Sequence, residues 1–146
     1  MQHDRAMIDA LRTDLAIVVD TFPATGTPDT RHMAYSARIG RGVLITPASG
    51  SGSAGFLLPR AARDVMIRAA ERAGVPYQLA IAHGGVTDAA AAHLAAGGIP
   101  TLEIKLPRRY SHSPVEMLDL SDLAAALLLV EELVLHPPAK DELSFL

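Results

Sequence analysis

Apolar and polar positions fall into blocks along this chain, and each block predicts an element. Met7, Ile8 and Leu11 share one face of a short helix over residues 4–12. Leu15 to Val19 is a continuous apolar run ending at Asp20, the pattern of a strand buried on both faces. Thr21 to Arg38 is rich in Pro, Gly, Thr and Asp, has little period, and reads as a long loop that is either functional or wraps a partner. Gly42 to Thr46 predicts a second strand, and the Ser/Gly-rich stretch 48–55 a flexible link. From Pro59 to Ala73, Ala62, Met66, Ala69 and Ala70 recur at helical spacing, with proline in the first turn and Gly74 as the stop. Tyr77 to Ala82 predicts a third strand. Gly84 to Asp88 predicts a tight turn, leading into an alanine-rich helix over 89–96 that Gly97-Gly98 closes. Ile99 to Leu106 predicts a fourth strand. Ser121-Asp122 caps a last helix reaching about Leu135, which Pro137-Pro138 ends.

Strands alternating with helices imply an α/β fold: a layered, mostly parallel sheet with flanking helices, in a single domain over 1–146. Four strands are few for such a sheet, so one edge is expected to need cover. Composition sharpens this. Hydrophobic residues make up 49% of the 146, so strands are covered on both sides or apolar surface meets another chain. Aromatics are only 4%, which argues against stacking platforms for bases. The net charge of -3, with both signs scattered, offers no basic patch for nucleic acid. No cysteine is present, which removes disulfides, thiolate metal sites and cysteine nucleophiles. The longest apolar stretch, 123–135, is too short for a bilayer and is interrupted by Glu131 and Glu132. Without a signal-peptide pattern at the start, a cytoplasmic location is expected.

The candidate chemistry is sparse. His112 lies in the polar stretch Arg108-Arg109-Tyr110-Ser111-His112-Ser113-Pro114-Val115-Glu116, after a strand and before a helix. Loops leaving the carboxyl ends of strands are where open α/β sheets bind ligands and metals. Ser111 and Ser113 can fix the ring, but a lone histidine there is more often a plain surface residue. Asp20 closes a buried run, where a carboxylate must face a solvated crevice or a cation. It also suits an Asx-type turn, and spacing alone slightly favours that. Glu116 fits either a partner of His112 or an early carboxylate of the next helix. Gly84-Gly85-Val86-Thr87-Asp88 could bind an anion through backbone N–H groups, or could be an ordinary glycine turn with Thr87 or Asp88 as N-cap. His83 could face the same crevice, whereas His3, His32, His93 and His136 read as surface or helix residues. Ser49 to Ser53 lacks a nucleophile-elbow pattern.

Six short segments, in order, resemble the dinuclear-metal glutamyl aminopeptidase family. That family includes the tetrahedral (TET) aminopeptidases and proteins once labelled endoglucanase or cellulase M. Ala16 to Asp20, with Ala24 and Thr27-Pro28, resembles the family strand ending in a metal-ligand Asp with a downstream Asp-Thr-Pro. Ile39-Gly40-Arg41-Gly42-Val43-Leu44-Ile45 is similar to Leu-Gly-Lys-Gly-Pro-Val-Ile, and Ala73 to Gln78 to Gly-Ile-Pro-Tyr-Gln. Gly84 to Ala89 resembles Gly-Gly-Thr-Asp-Ala with Val86 inserted. Gly98 to Thr101 and Pro107 to Glu116 resemble Gly-Val-Pro-Thr and Pro-Thr-Arg-Tyr-x-His-Ser-Pro-x-Glu.

The resemblance covers residues 14 to 133 and implies the C-terminal half of a zinc-peptidase-like catalytic domain, without the family's inserted dimerisation domain. It implies that Asp20 and His112 are each a terminal ligand of one metal in a two-metal site, zinc or cobalt, with manganese also open. It further implies that Gly84, Gly85, Thr87 and Asp88 shape a substrate pocket. The activity implied is removal of N-terminal residues from peptides. The family's His ligand, bridging Asp, Glu ligand and Glu general base have no counterpart in residues 1–13, so no catalytic residue is assigned. The chain alone is then expected to bind metal weakly and hydrolyse little. Val86 and Thr21-Phe22-Pro23 depart from the family pattern near the site. The expected partners are a peptide substrate and either further copies of the chain or a complementary N-terminal half, with no nucleic acid and no membrane. The alternative is a non-catalytic assembly or binding module on the same fold. A sugar hydrolase would need a carboxylate pair across a groove, and no convincing pair is present.

Overall fold

The computed structural model describes residues 2–11, 13–27 and 36–143, with the side chains of residues 2–5 and 9 outside the description. The His3 side chain, and Pro28 and His32 as whole residues, thus lie outside the described part of the chain. The elements are α1 (Gln2–Leu11), β1 (Ala16–Pro23), β2 (Val43–Ile45), β3 (Ala48–Ser51), β4 (Ala54–Leu57), α2 (Arg60–Arg72), β5 (Tyr77–Leu79), β6 (Ala82–His83), α3 (Ala89–Ala92), β7 (Thr101–Arg108) and α4 (Leu120–Leu135).

The main sheet has the order β1-β7-β2-β5. β1 runs parallel to β7 and β2 parallel to β5, while β2 and β7 are antiparallel, so the sheet is mixed. β7 is buried along nearly its whole length because it is central, with strands on both sides. One face of the sheet packs on helices. Val43, Ile45, Leu102, Ile104 and Leu106 meet Met66 and Ala69 of α2 and Leu129 and Leu133 of α4. Burying each large aliphatic side chain there contributes about 1.5–3 kcal/mol. The other face carries a smaller cluster of Phe22, Ala24, Ala37, Leu44, Ala80 and Ala82.

The path from β1 to α4 shows why the glycines of 39–42 stand where they do. Asp122, buried in the first turn of α4, accepts 2.7 Å hydrogen bonds from the N–H groups of Gly40 and Gly42. Gly42 has φ +86, and a Cβ there would lie 1.9 Å from the Pro76 carbonyl oxygen. The Gly-Arg-Gly motif is therefore a joint between the sheet and the α4 N-terminus.

Several sequence expectations are corrected. β1 is an edge strand, partly exposed rather than buried on both faces, and it continues past Asp20 to Pro23. Most of its residues are half-buried, a state that the length of an apolar run cannot separate from full burial. The stretch 48–55 is no flexible link: β3 and β4 form an antiparallel hairpin with Gly52 at φ +62 in its turn. Tyr77 to Ala82 splits between two sheets, with β5 in the first and β6 joining the hairpin in a second of order β4-β3-β6. The alanine-rich helix stops at Ala92, followed by a 3-10 turn over 95–97 with Ala96 at φ 48. Asp119, not Ser121 or Asp122, caps α4, accepting from the Ser121 N–H at 2.8 Å.

Candidate functional site

β1 and β7 carry the site because their parallel register aligns side chains on one face. Asp20 pairs with Lys105, Val18 with Glu103, and Phe22 with Pro107. Since alternate residues share a face, Asp20 and Phe22 stand beside Glu103 and Lys105. This face is turned away from α2 and α4. Above it lie the turn after β6 and the loop after β7, and between them opens a cleft of ≈ 240 Å³. Asp20 and His112 both line it. Gly84, Gly85 and Thr87 line it too, along with His83, Lys105 and Arg108, whereas Asp88 is not among the lining residues.

Local geometry fixes each group. One carboxylate oxygen of Asp20 accepts from the Thr21 N–H at 2.6 Å, which sets the plane of the carboxylate. The turn after β6 is anchored from below by Thr87, whose hydroxyl hydrogen-bonds Glu103. Glu103 is fully buried and also meets Lys105 Nζ at 3.0 Å and Ser49 Oγ at 3.5 Å. One acidic residue on the central strand thus ties together the glycine turn, the hairpin and the neighbouring ammonium. The desolvation cost of such a buried ion pair offsets most of its attraction, so it adds little net stability. Lys105 Nζ also lies 5.6 Å from the centre of the Phe22 ring.

The His112 loop is held at its base by a two-way backbone bridge. Arg109 N–H donates to the Met117 carbonyl at 2.8 Å, and Met117 N–H donates back at 3.2 Å. Within it, Tyr110 and His112 adopt left-handed φ of 57 and 58, uncommon for residues with a Cβ. Glu116 holds the bend closed: it accepts from the His112 N–H and from the Arg108 guanidinium. The Arg108 hydrogen bond, and then that of the His112 backbone, holds the Glu116 carboxyl below the usual glutamate range. Glu116 is not in a helix, because α4 starts only at Leu120; it supports the backbone of His112 instead. Arg109 reaches back so that its Nε donates to the Thr25 carbonyl at 3.3 Å. His93, expected to be a plain helix residue, has its ring edge-on to Phe56 with centroids 5.5 Å apart. His136 is exposed and pairs with Glu132.

Sequence reasoning passed over Lys105, Glu103 and Arg108. The signal was present: Glu103 and Lys105 sit two apart inside an apolar strand, which puts two charges on one face of a central strand. Among the described residues no group of three or more His, Asp or Glu side chains is arranged to hold a metal ion. Asp20 is the one carboxylate among the described residues lining the cleft. A carboxylate and an imidazole are ordinary ligand types for a zinc-like ion, and one of each is short of the three protein ligands a catalytic zinc takes.

The fold is a layered, mixed α/β sheet with a polar cleft over the ends of β1 and β7. The model of the M42 glutamyl aminopeptidase family matches residues 4–129, and the chain belongs to that family. It is 32% identical over 113 residues to the glutamyl aminopeptidase of Lactococcus lactis subsp. cremoris, a match over 77% of this chain and 29% of that protein. An aminopeptidase from the archaeon Desulfurococcus kamchatkensis superimposes with a TM-score of 0.86 at 28% identity, covering 97% of this chain and 39% of that one. The TET1 peptidase of Pyrococcus horikoshii superimposes with a TM-score of 0.68 at 26% identity, over 90% of this chain and 36% of that one. The chain thus spans roughly a third of the length of the curated relatives it matches. No helix among the described residues is long and apolar enough to cross a membrane.

Proposed function

We propose that this chain forms part of the catalytic domain of a metal-dependent aminopeptidase, with Asp20 and His112 as metal ligands. The observation that carries this is their convergence: two residues far apart in sequence, on β1 and in the loop after β7, line one cleft. A bound divalent ion of the zinc or cobalt kind would polarise the peptide carbonyl and lower the pKa of a bound water. Asp20 offers the carboxylate oxygen left over from its Thr21 contact. His112 offers its ring from a backbone pinned by Glu116. Gly84, Gly85 and Thr87 form the wall against which a peptide would lie. The remaining ligands and the general base come from polypeptide outside the described residues. Substrate is a peptide with a free N-terminus, and the working form is an assembly, either of copies of this chain or with a complementary N-terminal half.

The test is release of aminoacyl-anilides with added cobalt or zinc. The purified chain is expected to be inactive, and to gain activity when mixed with the N-terminal part of a related aminopeptidase. Asp20→Asn or His112→Ala should abolish that gain while leaving the circular dichroism spectrum and melting temperature unchanged. Activity in the chain alone would refute the incompleteness of the site. A folded complex without activity would favour the second reading, a non-catalytic assembly module. That reading rests on α4, whose Leu120, Leu127 and Leu135 are exposed opposite its packed face.

A further inference from the structure

α4 has two apolar faces, and the fold of one chain uses only one of them. Its packed face runs through Ala125, Ala126, Leu129 and Leu133. At about 100° per residue, Leu120, Leu123, Leu127, Leu128, Val134 and Leu135 fall within roughly 140° of arc on the opposite side. A stripe that wide is what a helix turns toward a core. Yet Leu120 is 76% exposed, Leu127 68%, Val134 63% and Leu135 64%. The six residues together leave on the order of 600 Å² to water, at the upper end of the largest apolar patch on an ordinary monomer.

Position, area and symmetry identify the cover as a second copy of this chain. The cleft of Asp20 and His112 lies on the other face of the sheet, so polypeptide completing that site approaches from the far side. An element laid outside α4 would be a further layer beyond sheet and helices, and domains close with two or three layers. Two copies of the stripe bury about 1,200 Å² together, enough for a specific interface. The stripe is also self-complementary. A two-fold axis between Leu127 and Leu128 runs the helices antiparallel and sets Leu120 opposite the partner's Leu135. Glu131, the one charge on the stripe, then meets the partner's Ala124, a small residue near the positive N-terminal end of the helix. The two Glu131 carboxylates stand about 10 Å apart along the axis, near the screening length, whereas a parallel pair would set them face to face. We infer that the chain is a dimer in which the outer faces of α4 pack antiparallel about this axis. The contact belongs to the assembly proposed above and depends on neither metal ligand.

Sedimentation equilibrium of the full chain, across the micromolar range, tests this. Wild type is expected at twice the chain mass. Leu127→Lys sets two ammonium groups at the axis and should weaken the dimer roughly a hundredfold or more, with an unchanged circular dichroism spectrum. Glu131→Leu removes the charge from the stripe and should tighten the dimer roughly tenfold. Because the chain has no cysteine, engineered disulfides read the orientation directly. Oxidising Leu120→Cys mixed with Leu135→Cys should give a cross-linked pair, while Leu120→Cys alone should give none. These two exposed sites carry the test should Leu127→Lys fail to fold. A monomeric wild type overturns the inference, as does a dimer that Leu127→Lys leaves intact, or a cross-link between two Leu120→Cys chains. So does a dimer that separates when the N-terminal part of a related aminopeptidase binds, since that part would then cover the face. The metal-ligand reading fails separately: Asp20→Asn should dimerise like wild type, and monomeric Leu127→Lys should still gain activity in the complementation assay.

Discussion

Replacing Asp122 with alanine should cost this protein about 3 kcal/mol, a figure that follows from two hydrogen bonds. The carboxylate accepts from Gly40 and Gly42 at 2.7 Å each and is 1% exposed. A hydrogen bond to a charged group contributes about 1.5–3 kcal/mol, and a buried donor left without an acceptor costs about 1–3 kcal/mol. The two donors are not equivalent. Gly40 is exposed, so water replaces the lost acceptor, whereas Gly42 is buried against Pro76 and its N–H stays unpaired. One full loss at Gly42 and about 0.5 kcal/mol for the carboxylate in the first turn of α4 make up the estimate. The helix keeps its own cap, because Asp119 still accepts from Ser121, so the damage is confined to the joint. In urea denaturation the midpoint should fall by roughly 1.5 M at a slope near 2 kcal/mol/M, with the slope unchanged. Asp122→Asn should lose about 2 kcal/mol, since its amide group turns a donor toward one of the two N–H groups. A loss below about 1 kcal/mol for the alanine variant, or a wild-type midpoint for the asparagine variant, would refute the joint.

Two further outcomes are expected. Gly42→Ala should destabilise by more than about 3 kcal/mol, because its Cβ meets the Pro76 carbonyl at 1.9 Å, while Gly52→Ala, strained at φ +62 but with open space, should cost about 1 kcal/mol; equal losses in urea would refute the steric argument. Stability should fall as the solution is acidified: the hydrogen bond from Arg72 holds the Glu132 carboxyl below its ordinary value, as the one from Arg108 does for Glu116. With folded values depressed, this stabilisation is complete above the ordinary glutamate pKa of about 4.3 and is lost as pH falls through the folded values. Melting temperatures measured from about pH 7 down to about pH 3 should decline less steeply in a Glu116→Gln, Glu132→Gln variant, and identical slopes would remove these two groups as the cause.

Much of the fold could be read from local pattern. The helices α2 and α4 follow apolar spacing and their proline and glycine punctuation, since a helix is decided within a few turns of its own sequence. The family motifs, short as they are, single out Asp20 and His112 from sequence alone, and the family model over 4–129 places the chain in that family. Pairing was not legible. The split of 77–83 between two sheets, the hairpin over 48–57 and the edge position of β1 depend on which strands meet, and a strand carries no mark of its neighbour. The glycines of 48–55 look like a linker in isolation; across the hairpin, Gly50 and Gly55 are register partners with no room for a Cβ on either.

By itself, then, the chain determined its class of fold and its family, because these rest on periodicity and on motifs a few residues long. Only the folded molecule decided that Asp20 and His112 share a cleft, that Asp88 stands outside it, and that Lys105 stands within it. The reason is register: a parallel ladder sets Asp20 beside Lys105 across most of the chain's length, and no local stretch of sequence records that pairing.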